Sequence, residues 1–504
     1  MSSFATALSA SPIGLEAILV EVEVDLSQQL PAMATVGLAQ TEVREAKDRV
    51  RAAIRNAGMK FPSRKVTVNL APADVPKSGT AFDLPIATAL LAAAGEISAD
   101  ALAPWVQVGE LALDGALRPV AGVLPIALAA RRAGRRGLVV PAANADEAAM
   151  VSGVEVRIAR TLGEVIGFLR AEYELPVKES SLDARLAEAA IGGPDLSFVR
   201  GHAIARRALE IAAAGGHNVL LSGPPGAGKT LLARCLPSLL PPLSREEALE
   251  VTAIHSVAGL LPGSGIVAQR PFRAPHPSVR PQALLGGGRP LRPGEVSLAH
   301  RGVLFLDEFP ELDRDVLESL RGPLEDRAVN LARAGRRVAF PASFMLVAAM
   351  NPCPCGRGGS ARCSCSEYEV KRYRARLSGP LLDRIDLRIE VEALRGDEFE
   401  GAAAESSAEV RARVSVAREQ AIARAAAAGL SAVVAANAEL PREVVEQAAG
   451  LDERGRKLLA LAVDAGLSAR ARERTLRLAR TIADLGGADR VSDEHLEEAL
   501  AYRG

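Results

Sequence analysis

Apolar residues recur along this chain with two different periods. Up to about residue 170, short runs alternate apolar and polar positions at 18–24, 65–70 and 106–113, and a further β-rich run occupies 137–141. A period of two fits strands with one buried face. Ala-rich stretches at 41–57 and 84–94 lie between them and read as helices. Residues 1–170 therefore read as an α+β domain. The polar stretch 171–195, with Pro176, Ser180, Ser181, Gly192, Gly193 and Pro194, breaks the pattern and predicts a linker carrying one short helix. From 196 to 394, continuous apolar runs at 218–222, 303–306 and 344–350 alternate with helical stretches, which predicts a buried parallel sheet in an α/β domain. Residues 395–504 are rich in Ala, Glu, Arg and Leu with almost no β-branched runs, and predict an all-helical end domain.

Length and composition agree with several cores rather than one, because 504 residues exceed what a single hydrophobic core supports. Hydrophobic residues make up 48% and charged residues 24%, and no run approaches the ~18 apolar residues of a membrane helix, so no membrane-spanning segment is expected. The first 15 residues hold no Lys or Arg, hence no secretory signal, and the expected compartment is the cytoplasm. Lys plus Arg (61) equals Asp plus Glu (61), so any nucleic-acid surface must be local. With aromatics at 3%, contacts to the phosphate backbone would outweigh base stacking.

The chemistry is concentrated in the third segment. The run 218–222 leads directly into Gly223, Pro224, Pro225, Gly226, Ala227, Gly228, Lys229 and Thr230, followed by a helix. This is the G-x-x-x-x-G-K-[ST] pattern in its strand, loop and helix context. Glycines let backbone N–H groups wrap the phosphates of ATP, Lys229 reaches the β/γ-phosphates, and Thr230 can ligate Mg²⁺. The run 303–306 ends in Asp307 and Glu308, at the strand end where open α/β sheets bind ligands. Asp307 would join the Mg²⁺ shell and Glu308 would polarise the attacking water. The run 344–350 ends at Asn351, whose amide can bond phosphate or water, or can simply open an Asn-Pro turn.

Four of the five cysteines, Cys353, Cys355, Cys363 and Cys365, fall in two C-x-C pairs separated by seven residues that include Gly356, Gly358 and Gly359. A tight loop there could gather four thiolates around Zn²⁺; free or redox-active thiols are the alternative. Seven Lys/Arg against three acids between 356 and 384 give the cluster a basic setting. Upstream, residues 329–333 alternate, turn at Ala334 and Gly335, and return through 336–340. That is a hairpin with Arg333, Arg336 and Arg337 at or near its tip. A segment from about 256 to 300 carries Arg270, Arg273, Arg280, Arg289 and Arg292 among many Pro and Gly, which suits a moving loop.

The order of these pieces, with Leu-Ser-Phe-Val-Arg-Gly-His at 196–202, Arg-Ala-Pro-His at 273–276, Gly-Gly-Gly at 286–288, Pro-Gly-Glu-Val-Ser-Leu-Ala at 293–299 and Ser-Gly-Pro-Leu-Leu-Asp-Arg-Ile-Asp at 378–386, resembles the AAA+ ATPases. Within them it is most similar to the Mg-chelatase-like ComM/YifB family, linked to DNA transformation, and the resemblance covers essentially the whole chain. It implies an α/β AAA+ P-loop core with a helical C-terminal lid. It also implies that Arg384 is an arginine finger reaching a neighbour's nucleotide, that Arg470 is the second sensor arginine, and that the chain forms a ring, usually a hexamer. In the resembled branch the hairpin points into the central channel, where Arg333, Arg336 and Arg337 would grip DNA phosphates, and the 256–300 segment is a second channel element.

The segments at 76–81 and 109–122 resemble a Lon-protease-like (S5 domain 2-like) fold. Alignment puts Ala81 where active proteases carry serine and Leu124 where they carry lysine, so the resemblance implies a domain without a peptidase dyad; Ser78 is a weak substitute nucleophile. The expected function is a DNA motor for helicase or branch-migration work in recombination. The alternative is an ATPase that remodels a protein client, as in chelatase-type action.

Overall fold

The computed structural model describes residues 3–37, 40–77, 79–263, 265–288, 290–333, 336–358, 362–393, 405–430 and 436–503. The first domain is built on a seven-stranded mixed sheet. Its strands lie side by side as Ala32–Val36, Lys65–Ala71, Glu16–Ser27, Phe4–Ile13, Trp105–Gln107, Gly137–Pro141 and Glu155–Ala159. The alternating runs at 18–24 and 65–70 are strands as expected, whereas 106–113 is broken: the strand stops at Gln107, and a two-residue pair, Glu110–Leu111, joins a separate hairpin. The first strand, Phe4–Ile13, carries no strong strand signal because its inward positions are small. Ala5, Ala7, Ser9 and Ser11 are buried, and small side chains let helices Asp83–Ala93 and Val123–Arg132 pack close to the sheet.

A short helix, Leu182–Glu188, occupies the expected linker, but it is not free. Leu182 is buried in one apolar cluster with Leu124 and Val140 of the first domain and with Leu243, Ala248 and Ala253 of the second. The two domains thus share a core. A further contact joins them: any side chain at Gly14, in the turn of the first hairpin, would collide with Val338.

The second domain holds a five-stranded sheet ordered Phe272–Arg273, Val303–Leu306, Met345–Met350, Val219–Ser222, Leu387–Glu390. Every pairing in it is parallel. Both faces are covered, which is why these runs read as continuously apolar. Val219, Leu221, Val303, Phe305, Val347 and Ala349 enter one cluster with helices Ala203–Gly215, Lys229–Leu239, Ser407–Ala427 and Ala469–Leu485. Leu220, Leu304, Leu306, Leu346 and Ala348 enter another with Phe309, Leu320 and Leu381. The end domain is helical across its described residues and packs into the first of these clusters.

The segment expected to be a moving loop is partly anchored. Helix Arg245–Ala258 runs into it, and Phe272–Arg273 is the edge strand of the core sheet. Arg270 bonds Glu247 and the Pro241 carbonyl, and Arg273 makes a two-point pair with Glu295. Arg280 and Arg292 stay exposed near the small hairpin Gly286–Gly287/Arg292–Pro293, while Arg289 lies outside the described residues.

Candidate active site

Parallel strands give the core sheet two chemically different edges. At the C-terminal edge, strand Val219–Ser222 ends in the loop 223–228, and Gly228, at φ +84°, caps helix Lys229–Leu239. Gly226 also has positive φ, and a side chain at Gly223 would strike the Val391 carbonyl. Glycine is favoured at these positions, so the backbone can take the tight course of the loop. The Lys229 ammonium donates to the Gly223 and Pro224 carbonyls at 2.5 and 2.9 Å and to Asn351 Oδ1 at 3.2 Å. Burial lowers its pKa, and the charge of Asp307 acts in the opposite direction.

Thr230 donates its hydroxyl to Asp307 Oδ2 at 3.3 Å, so the two proposed Mg²⁺ ligands already face each other. Asp307 Oδ1 accepts the Glu308 backbone N–H at 2.9 Å, and Glu308 adopts φ +50° at the strand end with its side chain exposed. A left-handed non-glycine residue is costly unless its surroundings fix it, and such positions cluster at functional sites. The structure brings together two hydrogen-bonded pairs, Lys229 with Asn351 and Thr230 with Asp307, beside Glu308, although these residues follow three separate strands. Three acceptors around a half-buried ammonium, a glycine-held loop and a carboxylate–hydroxyl pair suit a nucleotide phosphate with its divalent cation.

The opposite edge carries the arginines. Asp386 is buried, accepts the Asn218 backbone N–H at 3.0 Å, and pairs with Arg474 at 2.7 Å. Burial alone would raise its pKa, but Arg474 and His217 overcome that and hold it well below the usual carboxylate range. Arg384 donates to Glu325 and to the Pro380 carbonyl, and Arg470 donates to the same Glu325 at 3.1 Å. Arg384 and Arg470 thus share one carboxylate beside a cavity of about 340 Å³ also lined by Arg327, Arg474 and Arg477. Asn218 and Gly223 stand at opposite ends of an extended strand, about 16 Å apart. The Arg384 and Arg470 side chains therefore lie across the sheet from Lys229 of the same chain. Two further arginines on the helix of Arg470 are engaged within the chain: Arg474 is bound to Asp386, and Arg477 donates to the Leu440 carbonyl. Glu325, on the short helix Arg321–Asp326, had no sequence signal because acidic residues on short helices are ordinary.

Asp386 also yields a stability prediction. Replacing it with Ala removes the acceptor of the Asn218 N–H and the carboxylate partner of Arg474, which keeps the Arg384 carbonyl, so the core should lose about 3–5 kcal/mol, read as a lower unfolding midpoint in calorimetry at pH 7. Because the native carboxyl titrates lower than the unfolded one, its contribution is present above about pH 4 and is lost as pH falls further. The gap between wild type and variant should therefore close in acid; equal midpoints at pH 7 would refute the role of the pair.

Four cysteines follow Asn351 directly. Cys353 Sγ lies 3.4 Å from Cys355 Sγ and 3.7 Å from Cys363 Sγ, and all four sulfurs lie within 4.8 Å of one another. The hairpin Ala328–Arg333/Arg336–Pro341 is present, with Val329, Val338 and Phe340 buried and Arg337 exposed. Its tip at 334–335 and the Arg333 and Arg336 side chains lie outside the described residues, as do Gly359 and Ser78. Ala81 and Leu124 are buried together in one apolar cluster.

Family models match three stretches of the chain. Models described as "Magnesium chelatase, subunit ChlI", "Subunit ChlI of Mg-chelatase" and "Magnesium chelatase, subunit ChlI C-terminal" match residues 195–399, 22–144 and 404–503. The competence protein ComM of Haemophilus influenzae is 44% identical over 509 residues, covering 99% of this chain and 97% of that protein. This chain belongs to the ComM/YifB family. YifB of Escherichia coli is likewise 44% identical, over 97% of this chain and 95% of its own length. A local similarity to Lon protease of Chloroflexus aurantiacus, 32% identical, covers 27% of this chain and 17% of that protein. The ComM/YifB chain therefore has a Mg-chelatase-like AAA+ domain on a parallel sheet, and no helix among its described residues is long and apolar enough to cross a membrane.

Proposed function

We propose that this ComM/YifB protein is a ring-forming, Mg²⁺-dependent ATPase that moves along DNA, acting in the cytoplasm as a helicase or branch-migration motor in homologous recombination during natural transformation. The observation that carries the reading is the separation of Lys229 and Arg384 across the core sheet. Gly223 to Thr230 bind ATP, Thr230 and Asp307 hold Mg²⁺, Glu308 polarises the attacking water, and Asn351 orients it against the γ-phosphate. Bound Mg²⁺ neutralises developing phosphate charge. Arg384, helped by Arg470, supplies the remaining positive charge from the neighbouring subunit, which requires a closed ring, and a hexamer is the expected size. Zn²⁺ at the four cysteines is the second metal.

The DNA assignment rests on the name of the Haemophilus relative and on the arginine hairpin. Arg333, Arg336 and Arg337 contact phosphates in the channel, giving affinity without sequence preference. The first domain, a Lon-like fold with Ala81 and Leu124 at the dyad positions, assists assembly or DNA contact and cleaves no peptide.

The decisive assay is ATP-dependent conversion of a labelled four-way DNA junction into duplexes. Wild type should convert it. The triple variant R333A/R336A/R337A should keep its basal ATPase and bind DNA more weakly, with the slope of log K against log salt flattened by up to about 2–3. An ATPase indifferent to every DNA, with no junction conversion, would overturn the DNA motor and point to a protein client.

A further inference from the structure

The cysteine lobe is a closed unit that begins and ends at the nucleotide group. It leaves the sheet at Asn351, whose side chain accepts from Lys229. It passes through the four cysteines and enters helix Glu367–Arg374. There Tyr373 is buried beside the Asn351 backbone, and that burial pushes its phenol up to about 12. Between these ends the lobe touches the phosphate loop: a Cβ built on Gly356 would lie 2.8 Å from Pro225 Cγ and 3.9 Å from the Asn351 amide carbon. Gly356 has φ +77° and closes a turn onto the Cys353 carbonyl at 3.0 Å, so the turn that carries the first two cysteines meets Pro225 at its end.

The sulfurs are spaced for a metal. Four thiolates around tetrahedral zinc, with Zn–S about 2.3 Å, place neighbouring sulfurs about 3.8 Å apart. Three separations here are 3.4, 3.7 and 3.7 Å. Among its described residues, the span 353–365 contains no regular helix or strand and contributes one residue, Cys353, to the buried apolar set. Such a segment cannot hold its shape by packing alone; a bound ion supplies the missing constraint.

We propose that Cys353, Cys355, Cys363 and Cys365 bind one Zn²⁺ and that this ion, through Gly356 and Asn351, fixes the phosphate loop in its nucleotide-ready form, so that ATP affinity depends on the zinc. The proposal rests on the ATP-site reading above. The thiolates bind the ion without change of oxidation state, and no bond other than Zn–S is made.

The test uses the full-length chain. Zinc is measured by plasma mass spectrometry and ATP binding by titration with a fluorescent ATP analogue. Wild type and Cys235→Ser should carry about one zinc per chain. The double variant C363S/C365S should lose the metal, keep the helical circular dichroism of the wild type, and bind the analogue roughly tenfold or more weakly. Gly356→Ala should keep its zinc and still bind the analogue more weakly, which separates the contact with Pro225 from the ion itself. Wild type without zinc, or with Cys353–Cys355 or Cys363–Cys365 oxidised, overturns the metal site. Loss of zinc with unchanged nucleotide affinity overturns the coupling. A wild type that carries zinc but binds no ATP would instead sink the ATP-site reading, since the metal measurement needs no nucleotide.

Discussion

Glu308→Gln should bind ATP as wild type does and hydrolyse it on the order of 10²–10⁴-fold more slowly. The amide keeps the size of the side chain and removes its capacity to accept a proton. Glu308 stands at the end of strand Val303–Leu306 with its carboxylate exposed, next to the Asp307 that bonds Thr230. Its backbone is held in a left-handed conformation by the bond to Asp307 Oδ1. Lys229→Ala should show the complementary defect, loss of nucleotide binding itself, because its ammonium is the cation at the centre of the loop. Equilibrium binding and single-turnover hydrolysis on the same preparations separate the two. A Glu308→Gln protein with wild-type turnover would refute its role.

Arg384→Ala should retain ATP binding and lose at least about 10³-fold in turnover. The stronger test is mixing. Lys229→Ala and Arg384→Ala are each expected to be inactive alone, yet co-assembled rings contain interfaces with an intact loop on one side and an intact finger on the other. Random assembly makes roughly one interface in four competent, so activity should return to about a quarter of wild type. Were Arg384 to act on its own subunit's nucleotide, mixing would restore nothing. The geometry favours the first outcome, because the Arg384 guanidinium is bound to Glu325 and Pro380 on the far side of the sheet from its own Lys229.

Much of the ATP site was legible from the chain because its parts are local. A loop of eight consecutive residues needs particular glycines at particular places, and Gly226 and Gly228 do adopt positive φ. Buried strands followed by Asp307 or Asn351 announce themselves by apolar runs. The first strand was not legible, since Ala and Ser at its buried positions carry no alternation of hydrophobicity even though the helices pack directly on them. The apparent linker concealed Leu182, an apolar residue among polar neighbours, which belongs to a core shared by two domains.

The sequence by itself determined where the glycine-rich loop, its Lys229 and Thr230 and the paired cysteines lie, because backbone conformation and donor chemistry are properties of a few neighbouring residues. Tertiary structure alone decided which edge of the sheet each group occupies: that Arg384 and Arg470 meet on Glu325, that Arg474 is committed to buried Asp386, and that the cysteine lobe leans on Pro225. Those pairings join residues tens to hundreds of positions apart. They follow from strand order and from helices closing over both faces of the sheet, which no local pattern encodes.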